Sequence, residues 1–133
     1  MVWSFQNDLP IYTQLVDAIK LAIVSGELQP GARMSTVRDL ALEAGVNPNT
    51  MQRALQQLER EGLVFSQRSS GRFVTEDVAV IDRARATLAA EHVRRYRASM
   101  RSLGFSEEEM KTLLNGSGEE KNNGVLSGNN GSL

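Results

Sequence analysis

Apolar positions recur at steps of three and four between Pro10 and Ser25, where Ile11, Leu15, Ile19, Ala22 and Ile23 share one face. This spacing predicts an amphipathic helix with Pro10 in its first turn, where a missing N–H costs nothing. Gly26 and the Pro30-Gly31 pair then mark a tight connection, and Ala32 to Met34 reads as a single short strand. A shorter helix is predicted from Val37 to Ala44, with Leu40, Ala41 and Ala44 inward. Thr36 and Asp39 have capping-box spacing at its start, and Gly45 suits a left-handed stop. Asn47 can cap a third helix with Pro48 at its first position, and Met51, Ala54, Leu55 and Leu58 make its buried stripe. Gly62 ends it. Leu63 to Gln67 and Arg72 to Thr75 are β-prone and flank Ser69-Ser70-Gly71, so they read as a hairpin.

Helix, short strand, helix, turn, helix, hairpin is the order of a winged helix-turn-helix. The expected fold is therefore mostly α with a small β-hairpin wing, the reading head occupying residues 1–77. From Val78 the pattern changes. A long helix from about Ala79 to Leu103 carries Ile81, Ala84, Leu88, His92, Tyr96, Met100 and Leu103 along one face. A second helix follows Ser106, which forms a capping box with Glu109, and its apolar side is Met110, Leu113 and Leu114. The stripe from Ile81 to Leu103 needs a partner, because a lone helix on a small head cannot bury it. Residues 78–114 are thus expected to form a helical tail that pairs two subunits; the competing arrangement folds it back against Trp3 and Phe5. Residues 115–133 are mostly Asn, Gly and Ser with little to bury, which predicts a disordered tail.

Charge narrows the partners without naming one. The chain's 133 residues carry a net charge of -1, and residues 1–77 hold seven Lys/Arg against nine Asp/Glu. Attraction to phosphate must then come from a local arginine cluster, not from a global field. There is no cysteine, which excludes a disulfide scaffold, thiolate metal sites and a cysteine nucleophile. The apolar run Leu21 to Val24 is far too short to span a membrane, and MVWSFQND lacks the features of a secretory signal. The simplest expectation is a cytoplasmic protein with no membrane partner.

The polar side of the third helix is where chemistry concentrates. Asn49, Thr50, Gln52, Arg53 and Gln56 lie off its buried stripe. An α-helix fits the DNA major groove, where Asn and Gln can pair bidentately with adenine and Arg with guanine. Taken alone, such a face is more often just solvated. Thr36 and Arg38, at the start of the preceding helix, would bond phosphates and set register. Arg68 and Arg72 flank the hairpin turn, where a wing could reach phosphate or the minor groove. Each arginine has a bland alternative, such as pairing with Asp39 or Glu43, but several on successive elements are harder to dismiss together.

Three segments carry a family resemblance: PIYTQLVDAIKLAIVSGELQPGARM, STVRDLALEAGVNPNTMQRALQQLEREGLV and SGRFV. Together they make residues 10–75 resemble the GntR family of bacterial winged-helix repressors, most closely its YtrA-type branch. The resemblance implies a homodimeric repressor that binds double-stranded operator DNA, with transporter operons as the associated targets. It implies DNA proximity for Thr36, Arg38, Asn47, Asn49, Thr50, Gln52, Arg53, Arg68 and Gly71, to which the wing reading adds Arg72. It also implies that the two-helix tail is a dimerisation element. Two departures stand out: Met34-Ser35-Thr36 replaces the frequent Leu-Pro-Ser, and Ser69 replaces a frequent wing-tip Gly.

Enzymatic readings find little support. His92 is the only histidine and falls on the apolar face of the long helix, where a packed residue is commoner than a base or metal ligand. Glu107, Glu108 and Glu109 suit the positive end of a helix dipole. No phosphate loop, metal-spaced cluster or nucleophile elbow is present, so neither cofactor nor metal is expected. The C-terminal piece is too small for a conventional ligand pocket, so an unidentified small-molecule effector would need a cleft formed by the dimer. The competing function is a winged-helix module that binds protein, which the near-neutral head would suit.

Overall fold

The computed structural model describes residues 1–123, with side chains as far as Gly116. Five helices and one hairpin follow in the order α1 (Ile11–Val24), α2 (Val37–Ala44), α3 (Pro48–Arg60), β1 (Val64–Gln67), β2 (Gly71–Val74), α4 (Val78–Ser102) and α5 (Glu107–Asn123). The chain divides into two compact units, Met1–Thr87 and Leu88 onward.

Local signals account for most element ends. Pro10 sits one place earlier than expected, as the extended residue before α1. The Thr36 hydroxyl accepts from the Asp39 N–H at 3.1 Å, making half of the expected capping box. Asp, one methylene shorter than Glu, makes no return bond among the described residues. Gly45 stops α2 in the left-handed conformation, φ 72°. Its N–H donates to the Leu42 carbonyl and that of Val46 to the Ala41 carbonyl, a Schellman pair that turns the chain sharply into α3. The Asn47 side chain then accepts from the Asn49 N–H at 2.7 Å, with Pro48 in the first turn. At α5 the box is complete: Ser106 Oγ accepts from the Glu109 N–H, and Glu109 Oε1 from the Ser106 N–H.

The core of the first unit lies between α1 and α3 and is closed by α2 and the hairpin. Leu15, Ile19 and Ile23 of α1 are at most 1% exposed, as are Met51, Ala54, Leu55 and Leu58 of α3. Each fully buried large apolar side chain contributes roughly 1.5–3 kcal/mol, so this seam dominates the head's stability. Strands β1 and β2 pair antiparallel from Val64↔Val74 to Gln67↔Gly71, with Phe65 stacked on Phe73. The strand expected at Ala32 to Met34 is reduced to one bridge, Arg33↔Phe73, on the outer edge of β2.

Two boundaries depart from expectation. The two units divide at Thr87, inside α4, not at Val78. The first turns of α4 belong to the head because Ile81 is buried there, and Arg85 donates to the Val24 carbonyl at the end of α1 at 2.9 and 3.1 Å. Ile81 is thus a core residue of its own head and is removed from the predicted dimer stripe. Lastly, α5 continues to Asn123, although loss of regular structure was expected from Asn115. The remainder of the predicted tail, residues 124–133, lies outside the described residues.

At the hairpin tip Ser69 holds φ 70°, the one non-glycine residue with positive φ among those described. An L side chain in this region is strained by about 1–2 kcal/mol, part of which glycine's extra freedom in the unfolded chain offsets. Ser69→Gly is expected to stabilise the protein by roughly 0.5–1 kcal/mol, read as a higher urea midpoint with an unchanged slope. A lower midpoint would mean that the Ser69 hydroxyl contributes more than its backbone costs.

Candidate nucleic-acid interface

The buried stripe of α3 fixes what its other side presents. With Met51, Ala54, Leu55 and Leu58 inward, Asn49, Arg53 and Gln56 are exposed, and Thr50 and Gln52 half-buried. Steps of three and four place Asn49, Gln52, Arg53 and Gln56 on one face. Asn47 is different, because its side-chain oxygen is occupied by the Asn49 N–H. The Thr36 hydroxyl is likewise occupied as a cap, while Arg38 in the first turn of α2 is exposed.

The wing residues separate into two kinds. Arg68 is exposed beside the Ser69 tip. Arg72 is drawn inward instead: its Nη2 lies 3.0 Å from Glu59 Oε1, and its side chain is only 15% exposed. This pair ties β2 to α3, because the register that points Phe73 outward turns its neighbour toward the helix. The expected phosphate contact by Arg72 is therefore corrected to a brace between wing and helix. A groove lined by Arg33, Ser35, Thr36, Ser69, Gly71 and Arg72 joins the start of α2 to the wing. Gly71 has an internal reason to be glycine, since a Cβ there would lie 3.1 Å from Arg33 Nε.

The charged groups of the head divide into paired and unpaired. Three acids are engaged by side chains from other elements: Glu59 by Arg72, Glu61 by Lys20 at 2.8 Å, and Glu43 by the Trp3 indole N–H at 2.8 Å. Burial pushes the Glu61 carboxyl up, but bonds from Gln57 and Lys20, with the charges of Lys20 and Arg60, outweigh it and hold the group below its ordinary value. By contrast, Arg33, Arg38, Arg53 and Arg68 have no carboxylate within ion-pair distance among the described residues. These four cations, borne by the bridge residue, α2, α3 and the wing, are the unpaired positive charges that the bulk charge conceals.

Residues 11–74 match the sequence profile of "Bacterial regulatory proteins, gntR family". A solved GntR family transcriptional regulator from Listeria monocytogenes superimposes with a TM-score of 0.77 at 32% identity, covering 84% of this chain and 97% of that one. The chain belongs to the gntR family. As a gntR-family member it is a DNA-binding transcription regulator, not an enzyme. It is 38% identical over 107 residues to the uncharacterized HTH-type transcriptional regulator YhcF of Bacillus subtilis, 80% of this chain and 88% of that protein. It is 35% identical over 72 residues to the HTH-type transcriptional repressor YtrA of the same organism, 54% of this chain and 55% of that protein. The structure of AraR(DBD) in complex with operator ORX1 matches at TM-score 0.51 and 30% identity, covering 54% of this chain and 93% of that one.

Within this gntR-family head, two residues that pattern reading passed over border the candidate face. Arg33 lies in the segment the pattern reads as a strand, and alternation with the buried Met34 turns it outward. Tyr12 carries no signal in the apolar pattern of α1; the Arg53 guanidinium lies 4.6 Å from its ring centroid. On the long-helix stripe, Ala84, Leu88 and Met100 are half-buried and His92 is exposed, as are Tyr96 at 37% and Leu103 at 72%. Among the described residues no helix is long and apolar enough to cross a membrane.

Proposed function

We propose that this regulator is a homodimeric repressor that inserts α3 of each subunit into successive major grooves of a pseudo-palindromic operator. The observation that carries the reading is the exposed face of α3, with Asn49, Gln52 and Arg53 opposite a fully buried stripe. Arg53 and Asn49 contact base edges, with Thr50 and Gln52 beside them. Arg38, Arg68 and Arg33 meet phosphates, and the caps Thr36 and Asn47 hold the two helices at the angle this requires. Half-sites then lie about one helical turn apart, roughly 34–36 Å. Repression is supported by the similarity to the repressor YtrA, and a transporter operon as target rests on the resemblance to the YtrA-type branch alone.

The test is selection from a library of duplexes with randomised cores, sequenced after binding. Arg53→Ala is expected to relax preference at one position of each half-site by roughly 1–3 kcal/mol, while Arg38→Ala weakens all sequences alike. If both variants select the wild-type motif with wild-type affinity, the reading surface lies elsewhere.

The second subunit is expected on the stripe Ala84, Leu88, His92, Tyr96, Met100 and Leu103. Its exposed members in a helix this long support pairing with an identical helix. Because Ile81 belongs to the head, the informative truncation ends at Thr87. Sedimentation of residues 1–87 is expected to show a monomer and the full chain a dimer; a dimer in both would place the interface within the head.

A further inference from the structure

We propose that Tyr12, on α1, is a specificity-positioning residue that holds the Arg53 guanidinium ready for a base edge. This rests on the reading of α3 as the recognition helix. The two residues come from different helices, and the Arg53 carbon that joins its guanidinium nitrogens lies 4.6 Å above the Tyr12 ring centroid. That contact is cation–π stacking, and it has a consequence a salt bridge would not. A carboxylate partner occupies N–H donors, whereas a ring face occupies none. All five in-plane donors of the fork stay available to guanine.

The other arginines of the neighbourhood show the contrast. Arg60, on the same helix, donates from Nε and Nη2 to Gln57 Oε1 at 3.1 and 2.6 Å. Arg72 donates to Glu59. Arg53 alone of these three makes no hydrogen bond or ion pair among the described residues. Tyr12 is itself held. It is half-buried, and its hydroxyl donates to Gln57 Oε1 at 3.3 Å; Gln57 Nε2 donates to Glu61, which pairs with Lys20 of α1. The ring is thus a fixed platform under a long, flexible side chain. Stacking there restricts rotamers before DNA arrives, which lowers the ordering cost of the base contact.

The experiment uses the full chain and the randomised duplex library, with a double-mutant cycle on the selected sequence and its single-base variants. Tyr12→Phe keeps the platform, so base preference is expected to stay within about twofold of wild type. Tyr12→Leu removes the π face but keeps apolar bulk, and is expected to reduce preference at the Arg53 position by roughly two- to fivefold, the range an exposed cation–π contact supports. In an Arg53→Ala background Tyr12→Leu is expected to change nothing further, and the salt slope of binding should match wild type. A merely structural tyrosine would instead weaken all sequences equally. Should leucine lower the melting temperature, Tyr12→Met, a more adaptable apolar replacement, answers the same question. Preserved preference in folded Tyr12→Leu, alongside a relaxed Arg53→Ala, overturns the proposal and leaves the interface reading standing. Unchanged preference in Arg53→Ala overturns both.

Discussion

Binding of the full chain to its selected duplex is expected to fall about a thousandfold between 50 and 200 mM monovalent salt. The size follows from counting phosphate contacts, not from the net charge of -1. Arg33, Arg38 and Arg68 are the unpaired cations assigned to the backbone, so two subunits neutralise about six phosphates. Counterion release then gives a slope of log affinity against log salt of roughly −0.9 × 6, or about −5. A fourfold rise in salt costs about three powers of ten at that slope. Fluorescence anisotropy across the range measures it directly. A slope near −3 would indicate that one subunit binds alone, and a flat response would remove the arginine cluster from the interface. A head with more acids than bases has no overall field to attract DNA, so a steep slope assigns the attraction to these local arginines.

Replacing Leu55 with alanine is expected to destabilise the head by roughly 2–5 kcal/mol, a large share of the 5–15 kcal/mol typical of a whole domain. Leu55 is 0% exposed on the side of α3 that meets α1, and neighbouring Met51, Ala54 and Leu58 are equally enclosed, which leaves the site little room to collapse. Gln56→Ala, one residue on but exposed, should shift stability by no more than about 0.5 kcal/mol. Urea unfolding followed by circular dichroism compares the two. Equal midpoints would mean that the α1–α3 seam is not the main source of stability. The pair also separates two ways of losing DNA binding: Leu55→Ala lowers the folded fraction, whereas Arg53→Ala lowers discrimination in a folded protein.

Much of the head is legible in the sequence because its signals are local. The Thr36 and Asn47 caps, the Gly45 stop and the Ser106–Glu109 box each satisfy backbone groups within a few residues, so spacing alone reveals them. The α3 stripe was equally plain, since burial of Met51, Ala54, Leu55 and Leu58 follows from a helical period and a single core. With the stripe known, the exposed face carrying Asn49, Gln52 and Arg53 was known too. Ser69 was flagged only as a departure from a family pattern; its positive φ became visible once the hairpin closed around it.

What the chain alone determined, then, is which segments are helical, where they stop, and which side of each is apolar. The tertiary structure decided which charges are available and which apolar residues are already satisfied. Arg72 and Arg53 are chemically identical in the sequence, yet one is braced by Glu59 while the other rests on Tyr12 with its donors open. Ile81 and Leu103 share one helical stripe, yet one is 3% exposed in its own head and the other 72%. The physical reason is range. A cap or a period is satisfied within one turn of helix, but an ion pair, a stacked ring or a buried side chain takes its partner from whichever distant segment the packed core brings alongside.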